Sequence, residues 1–238
     1  MAMMVQPRRW LGGDVSAQRD MTLLRRLMER GRRCAARRPL WLCPDGLGAY
    51  IRASREPLRA PVHTGKGGRP RWRPWRNVLI AQVVKRYERR RVAETDRRMV
   101  DGPPARVATL RHRSQGGAGG SNTADIERLN ATFRARLAPL ARRCRARARH
   151  TLTLEHGMSL VGTVYNFCTY HASLRLAAQA TGTAATNRTP AMAAGITDHC
   201  WTVRELLAFH VPPPRWTPPK RRGRPSQTLK RLIERWGS

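Results

Sequence analysis

The sequence predicts an α/β fold, and two alternating patterns carry that prediction. Short apolar runs rich in β-branched residues, such as residues 78–84, alternate with stretches in which apolar residues recur every three or four positions. The first pattern is typical of strands and the second of amphipathic helices. At 238 residues, the chain fits one domain of ordinary size followed by a tail.

The first quarter of the chain predicts a strand, a helix, a strand and a helix. Residues 9–11 end at a Gly-Gly pair, as a strand entering a turn does. Helical spacing of Met and Leu follows over about 20–36. The apolar run 39–43 ends in Pro-Asp-Gly, which predicts a buried strand with Asp45 at its end. A second helix is expected over about 47–57.

The middle of the chain predicts a loop, two strands and a linker. Residues 60–76 are rich in proline, arginine and glycine, which favours a loop. Apolar, β-branched residues then predict strands over about 77–88 and 90–100. A basic helix continuing through Arg91 is the competing interpretation. The glycine-rich segment 115–122 predicts a flexible linker.

The last part predicts three helices and a tail. The first helix begins after Asn122, with an apolar stripe from Ile126 to Leu140 and a kink at Pro139. The second ends near Tyr170, and a capping box at 202–205 opens the third. The expected organisation is a core over 1–115 carrying Asp45, a linker and helical part over 116–211 carrying Glu127, and a disordered basic tail over 212–238.

The charge of the chain indicates a polyanionic partner. Lys and Arg number 47 against 15 Asp and Glu, a formal net charge of +32. A compact state with this charge repels itself unless a polyanion neutralises it, and nucleic acid is the commonest such partner. No apolar run is long enough for a membrane span, so no membrane is expected as partner. No small-molecule substrate is expected either. The five cysteines are odd in number and never form a C-x-x-C pair, which suits the reducing cytosol.

Four segments contain more specific sequence motifs. They are 44–50 (Pro-Asp-Gly-Leu-Gly-Ala-Tyr), 126–137 (beginning Ile-Glu-Arg-Leu-Asn), 165–174 (Tyr-Asn-Phe-Cys with a later His and Ser) and 188–195 (Arg-Thr-Pro-Ala-Met-Ala-Ala-Gly). Together they resemble DDE-type transposases of bacterial insertion sequences, over roughly residues 8–210. The resemblance implies a ribonuclease-H-like core, a mixed sheet flanked by helices, with carboxylates on the first strand, at the end of the fourth and on a later helix.

The resemblance implies catalytic and metal-ligating roles for Asp45 and Glu127, which match the second and third of these carboxylates. In such a site the acids hold two Mg²⁺ (or Mn²⁺) ions that activate the attacking oxygen and stabilise the leaving one. The first acid has no match, because Asp14 lies too close to the following helix for two intervening strands. We therefore expect the first strands to be missing and the chain to be inactive as it stands.

Simpler interpretations stay open for several of these residues. Asp45 before a glycine also suits a plain turn. Glu127, Asn130 and Arg134 share one helical face, which could be solvated. Asn166 and His171 could simply bond the end of their helix.

Arginines supply the expected DNA contacts, since guanidinium groups match phosphate oxygens. They concentrate in the helix that carries Glu127 and just after it, and the segment 222–225 (Arg-Gly-Arg-Pro) resembles the AT-hook core that lies in a narrow minor groove. The expected DNA-binding residues are Arg128, Asn130, Arg134, Arg136, Arg142, Arg143, Arg145, Arg147, Arg222 and Arg224.

The resulting expectation is a role in DNA transposition. The first hypothesis is metal-dependent DNA strand cleavage and strand transfer by a DDE transposase, of which this chain is an incomplete copy. The alternative is a non-catalytic DNA-binding remnant that regulates a full-length transposase. Expected partners are insertion-sequence ends and target DNA, with self-association or a full-length transposase as protein partners.

Overall fold

The computed structural model describes most of the chain. The described residues are 1–16, 18, 20–35, 39–62, 65, 69–75, 77–89, 91–115, 123–141, 145, 148–177, 184–212 and 226–236. They fall into two compact units, Met1–Val203 and Arg204–Ser238. The predicted α/β class is confirmed, because strands and helices alternate along the first unit.

Seven strands form three small sheets among the described residues. The strands are β1 (Ala2–Met4), β2 (Arg9–Gly12), β3 (Leu40–Leu42), β4 (Arg59–Val62), β5 (Arg71–Pro74), β6 (Val78–Glu88) and β7 (Arg91–Asp101). Eight α-helices accompany them. The helices are α1 (Met21–Ala35), α2 (Ala49–Arg55), α3 (Pro104–Gln115), α4 (Ala124–Arg136), α5 (Thr151–Phe167), α6 (Pro190–Ala193), α7 (Val203–Ala208) and α8 (Gln227–Trp236).

The largest sheet is mixed and has the order β3-β6-β7. β3 runs parallel to β6, with Leu40 opposite Val78, and β6 runs antiparallel to β7. The apolar run at the start of β6 is buried, as its β-branched composition predicts. The two predicted strands are thus confirmed and the competing helix is wrong. The turn between them includes Arg89 in the left-handed region, at φ 45°.

The loop predicted over 60–76 is wrong in part, because β4 and β5 pair there as an antiparallel ribbon. Pro61 lies opposite Trp72, and Pro74 lies opposite Arg59. Each strand of a two-stranded ribbon bonds a partner along one edge only, so a proline whose nitrogen faces the other edge removes no ladder hydrogen bond. Helix α3, which follows β7, was not predicted; it begins with Pro104, a residue suited to a first helical position.

The kink predicted at Pro139 is also wrong, because α4 ends before the proline. Leu137 is extended, at φ −119° and ψ 103°, and Pro139 lies in a separate 3₁₀ turn over Ala138–Leu140. A proline lacks the amide that would continue the helix and clashes with the preceding turn. Thr123 occupies the N-cap of α4, and Asn122, the predicted cap, lies outside the described residues.

The main core joins α4, α5 and the β1–β2 hairpin. Leu129, Phe133, Met158 and Tyr165 form its buried centre, against which Trp10 packs. The rings of Trp10 and Phe133 lie 5.6 Å apart between centroids. The apolar stripe predicted for α4 therefore faces this core, and strand β1, which was not predicted, completes the hairpin that covers it.

In the second unit, the prediction of a disordered tail is wrong over α8. Leu229, Leu232, Ile233 and Trp236 recur at helical spacing in this segment, and the Ser226 hydroxyl accepts a hydrogen bond from the Leu229 amide at 3.3 Å. The proline-rich composition that predicted disorder belongs to residues 212–225 and does not extend into α8.

Candidate functional site

Asp45 lies just beyond the end of β3, as predicted, and is exposed. It forms a single parallel bridge with Val83 of β6. Its Oδ1 atom accepts a hydrogen bond from the Leu47 amide at 3.1 Å, and its backbone carbonyl accepts one from the buried Gln82 side chain at 3.0 Å. These contacts are those of a carboxylate that bonds the turn after its strand, which is the simpler interpretation left open for Asp45.

Glu127 lies in the first turn of α4, where its Oε1 atom accepts two hydrogen bonds. Lys85 Nζ donates one at 2.5 Å and the Thr123 hydroxyl donates the other at 2.6 Å. The hydrogen bond from Lys85, and then that from Thr123, holds the pKa of Glu127 below its ordinary value. The Glu127 carboxylate is therefore ionised. The Lys85 ammonium group lies against it, where an ion bound by a metal ligand would otherwise lie.

Strand β6 brings the two acids to the same region. Asp45 bridges Val83, and Glu127 bonds Lys85, two positions further along the strand. Residues two apart on a strand point to the same face and lie about 6.8 Å apart. Lys85, the first charged residue after the apolar run of β6, is a contact of Glu127 that sequence analysis missed.

The residues described here do not by themselves fit a two-metal centre. No group of three or more His, Cys, Asp and Glu side chains among them is arranged to hold a metal ion. Two further acids that lie in the same unit are engaged elsewhere: Asp14 pairs with Arg30 at 3.2 Å, and Asp125 pairs with Arg8. Two closely spaced divalent ions need several carboxylates to offset their repulsion. Binding of Mg²⁺ or Mn²⁺ stays a prediction.

The arginines of α4 are exposed but lie on two faces of the helix. At 100° per residue, Arg134 shares a face with Glu127 and the half-buried Asn130, whereas Arg128 and Arg136 lie on the side of Asp125. Arg128 is 82% exposed and lies 4.0 Å from the Asp125 carboxylate. The expected DNA-contacting arginines of α4 are thus divided between two faces of the helix.

Only one of the remaining predicted DNA-binding residues lies among the residues that the structure describes. Arg145 is exposed, whereas Arg142, Arg143, Arg147, Arg222 and Arg224 lie outside the described residues.

Asn166 and His171 make different kinds of contact. The Asn166 side chain, 5% exposed, accepts a hydrogen bond from the Trp10 amide and donates one to the Trp10 carbonyl, each at 2.9 Å, so the helix-end interpretation is wrong for it. His171 Nδ1 lies 2.9 Å from the Ser173 hydroxyl, and burial, more than any nearby charge, lowers the pKa of the imidazole. Asn166 is thus a structural residue that holds β2 against α5.

Comparison of the chain with protein-family models, curated proteins and solved structures found no match. Within the described parts of the chain, no helix has the length and apolar character needed to cross a membrane.

Proposed function

We propose that the chain acts in DNA transposition, as a DNA-binding protein of the DDE-transposase type. One observation carries the proposal: the two acids that the transposase-like segments single out, Asp45 and Glu127, border the same stretch of β6 although they are far apart in sequence. In a ribonuclease-H-like core, the strand beside the one that carries the second acid would likewise lie next to both acids. A plain turn and a solvated helical face would give no reason for the two acids to be near each other.

The charge of the molecule supports DNA as the ligand. The net charge is +32, and the arginines of α4 that the structure describes are exposed on both sides of Glu127. Each phosphate that a basic side chain neutralises releases counterions, which makes affinity depend on salt. On this proposal, the protein binds duplex DNA mainly through the phosphate backbone of the DNA, with little dependence on the DNA sequence.

A salt titration of duplex binding tests this proposal. The affinity should fall with a log-log slope of at least about 4, since each neutralised phosphate contributes about 0.9. Arg128→Gln with Arg134→Gln should lower the slope by roughly 1 to 2, whereas Thr132→Gln, a change of size without charge on the same helix, should leave it unchanged. A slope near zero for the unaltered chain would exclude the proposal.

A second candidate function is that of a non-catalytic DNA-binding protein which regulates a full-length transposase. The contact of Lys85 with Glu127 favours it, because an ammonium ion on the carboxylate competes with any divalent ion. On this view the chain occupies DNA ends, or assembles with the full-length enzyme, without cutting.

Cleavage assays separate an active enzyme from both the regulator and the inactive incomplete copy. The second candidate predicts no nicking above background in Mg²⁺ or Mn²⁺, with DNA binding unchanged in Asp45→Asn and Glu127→Gln. Metal-dependent nicking that both substitutions abolish would establish the enzyme and rule out the regulator.

A further inference from the structure

The β4–β5 ribbon lies within the longest acid-free stretch of the first half of the chain. No Asp or Glu occurs between Glu56 and Glu88, whereas eight Lys and Arg do: Arg59, Lys66, Arg69, Arg71, Arg73, Arg76, Lys85 and Arg86. Three of these, Arg59, Arg71 and Arg73, lie on the ribbon itself, and all three are exposed. The ribbon therefore presents concentrated positive charge without acids to offset it.

The pairing register distributes these arginines over both faces of the ribbon. Arg71 lies opposite Val62 and Arg73 opposite Ala60, so these two arginines share one face. The other face carries Trp72 and Arg59, whose guanidinium carbon lies 5.6 Å from the centre of the indole ring. All four residues of β5 are exposed, and Trp72 is 50% exposed.

The arginines of the ribbon are not neutralised by a salt bridge among the described residues. None of the three forms an ion pair there, in contrast to Arg86 and Arg98 of the β6–β7 hairpin, which pair with Glu94 at 3.2 Å and Asp96 at 2.6 Å. The charge of Arg59 acts only at longer range, on Glu56, whose pKa is lowered mainly by its hydrogen bond from Arg25. A two-stranded ribbon with both faces in water gains little from its own packing. Its base is fixed nonetheless, since the Trp75 amide donates to the carbonyl of the buried Leu58 at 3.0 Å.

From this arrangement we propose that the β4–β5 ribbon lies in the major groove of duplex DNA. The inference rests on the proposed function, that the chain binds duplex DNA, and adds where it does so. The major groove, about 12 Å wide, admits a two-stranded β-ribbon. Arg71 and Arg73 lie about 6.8 Å apart along β5, close to two base-pair rises of about 3.4 Å, so both can reach the same groove. Because the Arg59 guanidinium lies over Trp72, that ring belongs to a positively charged surface. It is not an uncovered ring on which unpaired bases would stack.

The test uses the full chain and compares variants of equal charge. Arg71→Ala with Arg73→Ala should lower the log-log salt slope for duplex binding by about 1.8, because two phosphate contacts are lost, and should weaken binding at least about tenfold. The matched control, Arg86→Ala with Arg98→Ala, removes the same charge from arginines that already have acidic partners. Its slope should stay within about 0.5 of the unaltered chain.

A conservative variant separates charge from folding. Arg71→Lys with Arg73→Lys keeps both cations and should retain the salt slope. If it loses as much binding as the alanine variant, the loss does not come from the charge and the inference is overturned. Chemical footprinting should show protection of guanine N7, which faces the major groove, and the alanine variant should lose that protection.

The remaining outcomes separate this inference from the proposed function. Duplex binding by the unaltered chain, with unchanged slope and footprint in the alanine variant, would overturn the ribbon inference alone. No duplex binding by the unaltered chain would overturn both. A preference for single-stranded DNA that disappears in the alanine variant, or protection confined to the minor groove, would also overturn the major-groove placement.

Discussion

Asn166 holds the first hairpin of the chain against α5 with a single amide group. Its side chain both accepts from and donates to the backbone of Trp10, so it replaces the partner strand that the edge of β2 otherwise lacks. The neighbouring Tyr165 hydroxyl donates to the Arg8 carbonyl at 3.0 Å, and burial is the main cause that raises the pKa of this phenol to about 12. Two adjacent residues therefore bond the backbone at the beginning of the same short strand.

We expect Asn166→Ala to destabilise the fold by about 1 to 3 kcal/mol, because it leaves a partly buried donor and a partly buried acceptor of Trp10 unpaired. Urea unfolding followed by circular dichroism measures the change. Thr163→Ala is the control: Thr163 is one turn earlier on α5, and its hydroxyl bonds only the Ser159 carbonyl of its own helix, at 2.7 Å. A loss for Asn166→Ala no larger than for this control would contradict the role assigned to the amide.

The ion pair between Glu127 and Lys85 should make a small, pH-dependent contribution to stability. The pKa of Glu127 is lowered from its ordinary value of 4.5, so the contribution is present in full above that value and is lost as the pH falls through the lower pKa of the folded state. Because the Glu127 side chain is 53% exposed, we expect at most about 1 kcal/mol.

The measurement is the difference in unfolding free energy between the unaltered chain and Glu127→Gln, from neutral pH down to about 3. Lys85→Met should remove the same pH-dependent part, and combining the two substitutions should remove nothing more. A difference that grows as the pH falls would have the wrong sign for this ion pair.

Sequence analysis located Asp45 and Glu127 in the fold but did not identify what they contact. A strand end and a first helical turn can be predicted from local composition, because both depend on nearby residues. Lys85 reaches Glu127 only because the fold brings β6 close to the start of α4, and nothing local to either residue indicates that contact. The same holds for Asn166, whose partner Trp10 belongs to a different element.

At the scale of elements, α5 depends on a glycine for its contact with β2. A Cβ atom at Gly162 would fall inside the contact distance of the Trp10 ring, which is itself packed on Phe133. Gly31 of α1 is the opposite case, because nothing lies within 4 Å of the place where its Cβ would be.

We therefore expect opposite effects from the same substitution in two helices. Gly162→Ala should destabilise the fold by about 1 to 3 kcal/mol through displacement of Trp10, despite the better helix propensity of alanine. Gly31→Ala should stabilise it, by up to about 1 kcal/mol. Thermal unfolding of both variants provides the measurement. If both substitutions stabilised the chain, the close packing of α5 on Trp10 would be incorrect.

Elements were predicted well where one pattern dominates and poorly where two compete. The uniform apolar run of β6 and the apolar spacing of α1 gave elements at the expected places. The β4–β5 ribbon was missed because its prolines favoured a loop, and because the pairing depends on residues 9 to 15 positions apart. Helix α8 was missed because the disorder predicted from the preceding proline-rich segment was extended over it, although its own apolar residues recur at helical spacing.

At the scale of the whole molecule, a net charge of +32 works against the compact state. Salt screens this repulsion and polyanions neutralise it, so we expect 0.5 M NaCl, or a saturating DNA duplex at low salt, to raise the unfolding temperature. A gain of 1 kcal/mol corresponds to about 2 to 4 °C for a chain of this size. A thermal melt measures it, with neutral dextran as the control polymer. An unfolding temperature that does not rise in 0.5 M NaCl would show that the charge does not oppose folding.

The bonds between Trp10 and Asn166 also determine when the first hairpin can be completed during synthesis. They join residues 156 positions apart. At about 5 to 20 residues per second, a ribosome adds Asn166 roughly 8 to 30 s after Trp10. Throughout that time Met1, Met3 and Trp10 lack the surface that later covers them, whereas β6 and β7 can pair as soon as their turn is made. The first strands to be synthesised are thus among the last to reach their final contacts, and the nascent chain carries an uncovered apolar hairpin until α5 emerges.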